Sequence, residues 1–305
     1  MRTSACRRVP SIVGLGGRGG GLGYTRAVPA ERIAENLAFI NWTVLTSLAI
    51  GSFGAVVLAR LRTDATRGFL VFTAACAVVL AVLAYFSDQA LPATLRGSPI
   101  ITDGAFDMPR RAALGAFVVL AAAYTVALAQ RRRAPALAAG ALSAAAAVLV
   151  CGALAWGGGT FGAVPLLVQL VVLAVATGGV FAAMILGHWY LVTPKLPEAP
   201  LILIARSLLA VVGLQLLLFG VWVATGAGPA GASPFGVLVG QWALFVWLRL
   251  IVGLVFPLVV SWAAVKTARS RSMESATGLL YINVGSIAAG TILAAGLYFG
   301  AGVLV

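Results

Sequence analysis

The chain has 305 residues, of which 61% are hydrophobic and 10% charged, and its mean hydropathy is +1.04. Soluble domains carry about 25% charged residues, so a water-soluble fold is ruled out. The net charge of +13 comes from 21 basic and 8 acidic residues lying mostly between apolar runs; it reads as the short-loop arginine that orients membrane helices, not as a nucleic-acid-binding surface.

Residues 1–34 read as a disordered tail, or an overlong gene start, ahead of one transmembrane domain at 35–305. The tail is rich in Gly and Arg, with GLGGRGGGLG at 14–23. Its apolar content is too interrupted for the roughly 7–15-residue core of a signal peptide, while its Arg-rich, acid-poor character also fits a transit peptide. No strand precedes the glycines and no Lys-Ser/Thr follows, so they do not form a phosphate loop.

Eight apolar runs follow, at about 36–59, 67–87, 112–130, 135–156, 163–189, 201–224, 237–265 and 276–302. Each is near the ~20 residues a helix needs to cross about 30 Å of hydrocarbon. Runs of this length are helices, not barrel strands. The expected fold is all-α: a polytopic bundle of about eight transmembrane helices, with the lipid bilayer as its first partner.

The loops set the orientation. Arg60, Arg62, Arg67, Arg131, Arg132, Arg133, Lys195, Lys266, Arg269 and Arg271 fall on one side. The other side holds Arg96, Arg110 and Arg111, joined by Arg18, Arg26 and Arg32 of the tail. Ten against six places the first set in the cytoplasm and both termini outside, in a multi-pass protein of the cell membrane. Loop 88–111, with Asp88, Asp103 and Asp107, reads as a solvated connector, or else as a cap over the bundle mouth or a docking site for a partner. Small residues at four-residue spacing (Ser47, Gly51, Ala55, Ala59; Gly179, Ala183, Gly187; Ser286, Gly290, Ala294) predict close helix packing.

The seventh run, QWALFVWLRLIVGLVFPLVVSWAAVK, poses the sharpest physical problem. Arg249 lies about 12 Å below Gln241 at 1.5 Å per residue. A guanidinium at that depth costs at least ~2.5–3.5 kcal/mol and calls for a partner or water. Gln241, Phe245, Gly253 and Pro257 fall on its face at steps of four, and Pro257, lacking an N–H, frees the carbonyl of Gly253. No acid lies centrally in any run. Asp88 is the acid nearest in depth, with Gln169 and Gln215 as neutral alternatives. Arg249 is thus either structural, snorkelled or paired with Asp88, or ligand-facing.

A second cluster centres on MILGHWYLVTPKLPEAP. It contains His188, the only histidine, and Tyr190, with Arg206 starting the next helix and Tyr281 and Asn283 near the start of the eighth. His with Tyr, Arg and Asn suits a quinone headgroup or a proton relay, and a belt of interfacial aromatics is the simpler alternative.

One histidine cannot supply both axial ligands of a haem, and Met184, on the same helix face, cannot stand opposite it. Cys6, Cys76 and Cys151 lack metal-ligand spacing. No motif for a catalytic nucleophile or phosphate site is present. No catalytic or metal-ligating residue is therefore assigned, and no activity of its own is expected. The leading expectation is a membrane subunit or anchor of a redox complex, which binds no cofactor through its own ligands, meets quinone or protons, and contacts other membrane or peripheral subunits. The rivals are a small-solute (anion) transporter using Arg249 and a purely structural membrane protein.

Overall fold

The computed structural model describes residues 28–193 and 198–305. Its helices are α1 (Pro29–Glu35), α2 (Leu37–Arg62), α3 (Arg67–Gln89), α4 (Asp107–Ala129), α5 (Pro135–Trp156), α6 (Thr160–Val192), α7 (Ala199–Thr225), α8 (Ala243–Leu250), α9 (Phe256–Arg269) and α10 (Met273–Ala301). A π turn at Ile251–Val255 welds α8 to α9 into one rod. Eight rods are long and apolar enough to cross a membrane, and they coincide with the eight apolar runs.

Local chemistry sets the ends. Proline opens α1, α5 and α7, in the first turn where its missing N–H removes no bond. The expected tail reaches into α1: Pro29–Glu35 is helical, the Val28 amide donates to the Glu31 carboxylate at 3.0 Å, and Ile33 packs on Gly296 and Gly300 of α10. Residues 1–27, and with them Cys6 and the glycine repeat, lie outside the described residues, as do Pro194, Lys195 and Pro197.

The eight rods form two four-helix halves. Helices α2, α3, α4 and α5 pack in succession around the first, and α6, α7, the α8–α9 rod and α10 around the second. The halves meet chiefly where α2 lies along α6, with α5 also against α6 and α2 against α10. This seam depends on glycine. A Cβ added at Gly51 would stand 1.8 Å from the Ala174 carbonyl oxygen, and one at Gly178 would stand 2.2 Å from the Ser52 amide nitrogen. Ser52 also donates its hydroxyl to the Gly178 carbonyl at 3.3 Å. The close contact on α6 is therefore Gly178; its neighbour Gly179, read as part of the small-residue stripe, meets nothing within 4 Å. Inside the second half a Cβ at Gly290 would come 2.7 Å from the Gly253 Cα, so α10 and the π turn also touch backbone to backbone.

Loop 88–111 is shorter than its sequence span, because α4 already begins at Asp107. Asn36 pins it by donating to the Arg96 carbonyl at 2.9 Å and accepting from the Arg96 amide at 3.2 Å. The Asp103 amide donates to the Ala155 carbonyl at 2.8 Å. The loop is thus bonded across the end of the first half.

Candidate functional site

Arg249 is 2% exposed, inside the second half. Its Nη1 donates to the Gly253 carbonyl at 3.2 Å, the oxygen that Pro257 leaves without a helical donor. Its Nη2 reaches Gln215 Oε1 at 3.5 Å, and Gln215 Nε2 in turn donates to the Val172 carbonyl at 2.9 Å. Nε has no partner among the described residues. Every rod of the second half thus contributes: α6 through Val172, α7 through Gln215, the α8–α9 rod through Arg249 and Gly253, and α10 through Gly290, whose added Cβ would lie 2.8 Å from Nη1. Among the described residues a guanidinium here faces only neutral acceptors, one of them at the limit of a hydrogen bond.

Asp88 is not its partner. Asp88 is fully buried in the first half, accepting from Arg110 Nε at 2.7 Å and from Arg111 Nε at 3.2 Å. Arg110, 1% exposed, also binds Asp107 at 2.8 Å and lies with its guanidinium carbon 4.7 Å from the Trp156 ring centre and 5.8 Å from that of Trp42. The pairing of Asp88 with Arg249 is corrected for a simple reason. Arg110 and Arg111 occupy the first turn of α4, directly beside the end of α3, and satisfy the carboxylate locally.

Gln241 is also displaced from its expected place on the Arg249 face. The helix starts at Ala243, so Gln241 is exposed and lines a cavity of about 590 Å³ with Arg32, Ser98, Ser233 and Trp242, at the Asp88 end of the second half. Gln169 is buried on α6, with Oε1 unpartnered among the described residues.

Separate pairs of buried hydroxyl and amide groups lie along α10 on both sides of the level of Gly290. Thr177 and Thr291 share a 2.7 Å hydrogen bond between α6 and α10. Asn283 donates to Ser261 Oγ at 2.8 Å, and Ser286 donates to Asn283 at 3.1 Å through its carbonyl and 3.3 Å through its amide oxygen. The expected His188 cluster comes together only in part. His188 Nδ1 and Tyr281 Oη lie 3.4 Å apart on the exposed surface. Asn283 turns inward to Ser261, Arg206 is exposed on α7, and Tyr190 is buried.

Sequence reasoning missed the box around Arg110. Phe39, Trp42, Trp156 and Phe299 stack edge-on or tilted at 4.8–5.7 Å, and Tyr298 donates to the Trp156 carbonyl at 2.8 Å. This joins α2 and α5 to α10 at one end of the seam. The available signal was the spacing of Asp107 to Arg110, an i,i+3 pair at a helix start.

Eight membrane-length apolar rods with polar groups turned inward define a multi-pass helical membrane protein. No protein family, no curated protein and no solved structure matches the chain.

Proposed function

We propose that the protein is a small-anion permease whose second half binds its solute at Arg249. The observation that carries this reading is a buried guanidinium with no carboxylate partner among the described residues, since Asp88, the acid expected to pair with it, is held by Arg110 and Arg111. An anion that docks on the free Nε and the weakly held Nη2 supplies the charge that the protein withholds. The vestibule with Arg32 and Gln241 at one end, and the buried Thr177–Thr291 and Asn283–Ser261 pairs, support passage through the same half. The π turn next to Arg249 is the irregular backbone at which such a rod can flex. In the cell membrane, the end carrying Arg60 and Arg132 faces the cytoplasm and both termini face outward.

The test is flux of chloride, nitrate, sulfate, phosphate and acetate into proteoliposomes. At least one anion should enter saturably, and Arg249→Gln should cut that flux at least ~10-fold, the loss of one charge-assisted bond. Gln215→Glu should abolish it as well, by giving Arg249 an internal carboxylate. Flux of none of the five, or flux indifferent to both variants, removes the reading.

The redox-anchor reading retains one specific support, the His188–Tyr281 pair at the bundle surface. It takes precedence if the same preparation yields solvent-extractable quinone in proportion to protein, and Tyr281→Phe loses it.

A further inference from the structure

The seam between the two halves contains a feature that anion passage does not use. A groove of about 490 Å³ runs between α2, α5, α6 and α7, lined by Ile50, Gly54, Leu142, Val150, Val175 and Gly179 among others. Ser207 is the one hydroxyl on its wall. Leu142, Val150, Val171 and Val175 are exposed on the bundle surface, so the groove opens toward lipid. Gly54 and Gly179 leave it open, since a Cβ on either would meet nothing within 4 Å.

Leu142 also lines a second cavity, of about 480 Å³, at the ends of α2, α4 and α5. Arg60, Arg132 and Arg133 stand on its wall beside Tyr124. All three arginines are exposed, and none forms an ion pair among the described residues. Tyr124 is 4% exposed and packs against Phe53 at 5.5 Å, yet its hydroxyl makes no hydrogen bond within the described residues. A cationic, donor-bearing cavity thus adjoins, across Leu142, an apolar groove that extends about 12 Å along α5 from Leu142 to Val150, at 1.5 Å per residue. Both volumes fall within the ~300–1,000 Å³ of small-molecule sites.

We infer that this pair of cavities is a binding site for one anionic phospholipid, its phosphate held by Arg60, Arg132, Arg133 and the Tyr124 hydroxyl, and one acyl chain laid in the groove. Charge complementarity selects the headgroup, because three unpaired guanidiniums at a membrane face attract phosphate. The apolar wall selects the tail, because a chain there replaces bulk lipid without exposing a polar group.

The experiment is native mass spectrometry of the full-length protein released from nanodiscs of phosphatidylglycerol mixed equally with phosphatidylcholine. One phosphatidylglycerol should remain bound. The Arg60→Gln/Arg132→Gln/Arg133→Gln variant should lose it by roughly 100-fold in relative affinity. Gly54→Leu/Gly179→Leu should lose it too, by filling the groove, while Gly220→Leu on the exposed face of α7 retains it. A monodisperse peak and an unchanged melting temperature certify each variant as folded, and a groove variant that fails this is replaced by Gly54→Ala/Gly179→Ala, which should weaken retention. Equal retention of both lipids, or indifference to the arginine variant, overturns the site. Displacement by inorganic phosphate with no effect of the groove variants also overturns it, leaving an anion pocket without a lipid tail.

Discussion

Two buried arginines show how the same side chain can be used in opposite ways. Arg110 has a carboxylate, a second acid and two indole rings, so its charge is neutralised where it stands. Among the described residues Arg249 has only carbonyl and amide oxygens. Removing one partner of a buried pair strands the other, which costs about 3–5 kcal/mol. Arg110→Ala should therefore lower the stability of the detergent-solubilised protein by that order, because Asp88 keeps only Arg111. Arg111 is one-third exposed, and its truncation should cost no more than ~1 kcal/mol. Thermal unfolding followed by intrinsic tryptophan fluorescence checks both, and equal losses would contradict the assignment of Arg110 as the principal partner.

Among the helices, the contacts that decide the architecture are backbone to backbone. Gly51 on α2 meets Ala174 and Gly178 on α6, and Gly253 of the π turn meets Gly290 on α10. Lipid tails are as apolar as leucine, so helices in a membrane associate through such close approach. Gly51→Ala puts a methyl into occupied space and should destabilise the seam by at least ~1–3 kcal/mol. Gly54→Ala, one turn away, meets open space and should be close to neutral in the same unfolding assay. If the two behave alike, the seam is not set by that contact.

The two halves of the molecule carry different polar features. The first carries the ion-paired aromatic box at one end and the arginine cavity at the other; the second carries Arg249 and the buried polar pairs. By the positive-inside rule, the charge on the loops is what should orient both together. Arg110 and Arg111, counted from sequence as loop charges, are absorbed by Asp88 and Asp107, which widens the asymmetry between the two ends. Thr94 and Gln130 are exposed at opposite ends of the first half. In a variant lacking Cys6, Cys76 and Cys151, a membrane-impermeant maleimide should label Thr94→Cys in intact cells. It should reach Gln130→Cys only after permeabilisation, and the reverse pattern would invert the orientation.

Composition and run length alone were enough for the eight spans and the all-α class, because a bilayer demands length and apolarity from each helix separately. The Arg249–Gly253 bond was legible for a similar reason: it links residues four apart across a proline, and local geometry carries it. What lay beyond reach was the choice of neighbour. Asp88 was matched to Arg249 by depth, yet depth does not say which helix stands alongside, and α4 stands closer. Gln215 and Arg249 are 34 residues apart, and the Tyr124 cavity and the groove are walled by helices distant in sequence. Helix periodicity reports which face is apolar; only packing decides which faces meet, and it was packing that left Arg249 without an acid.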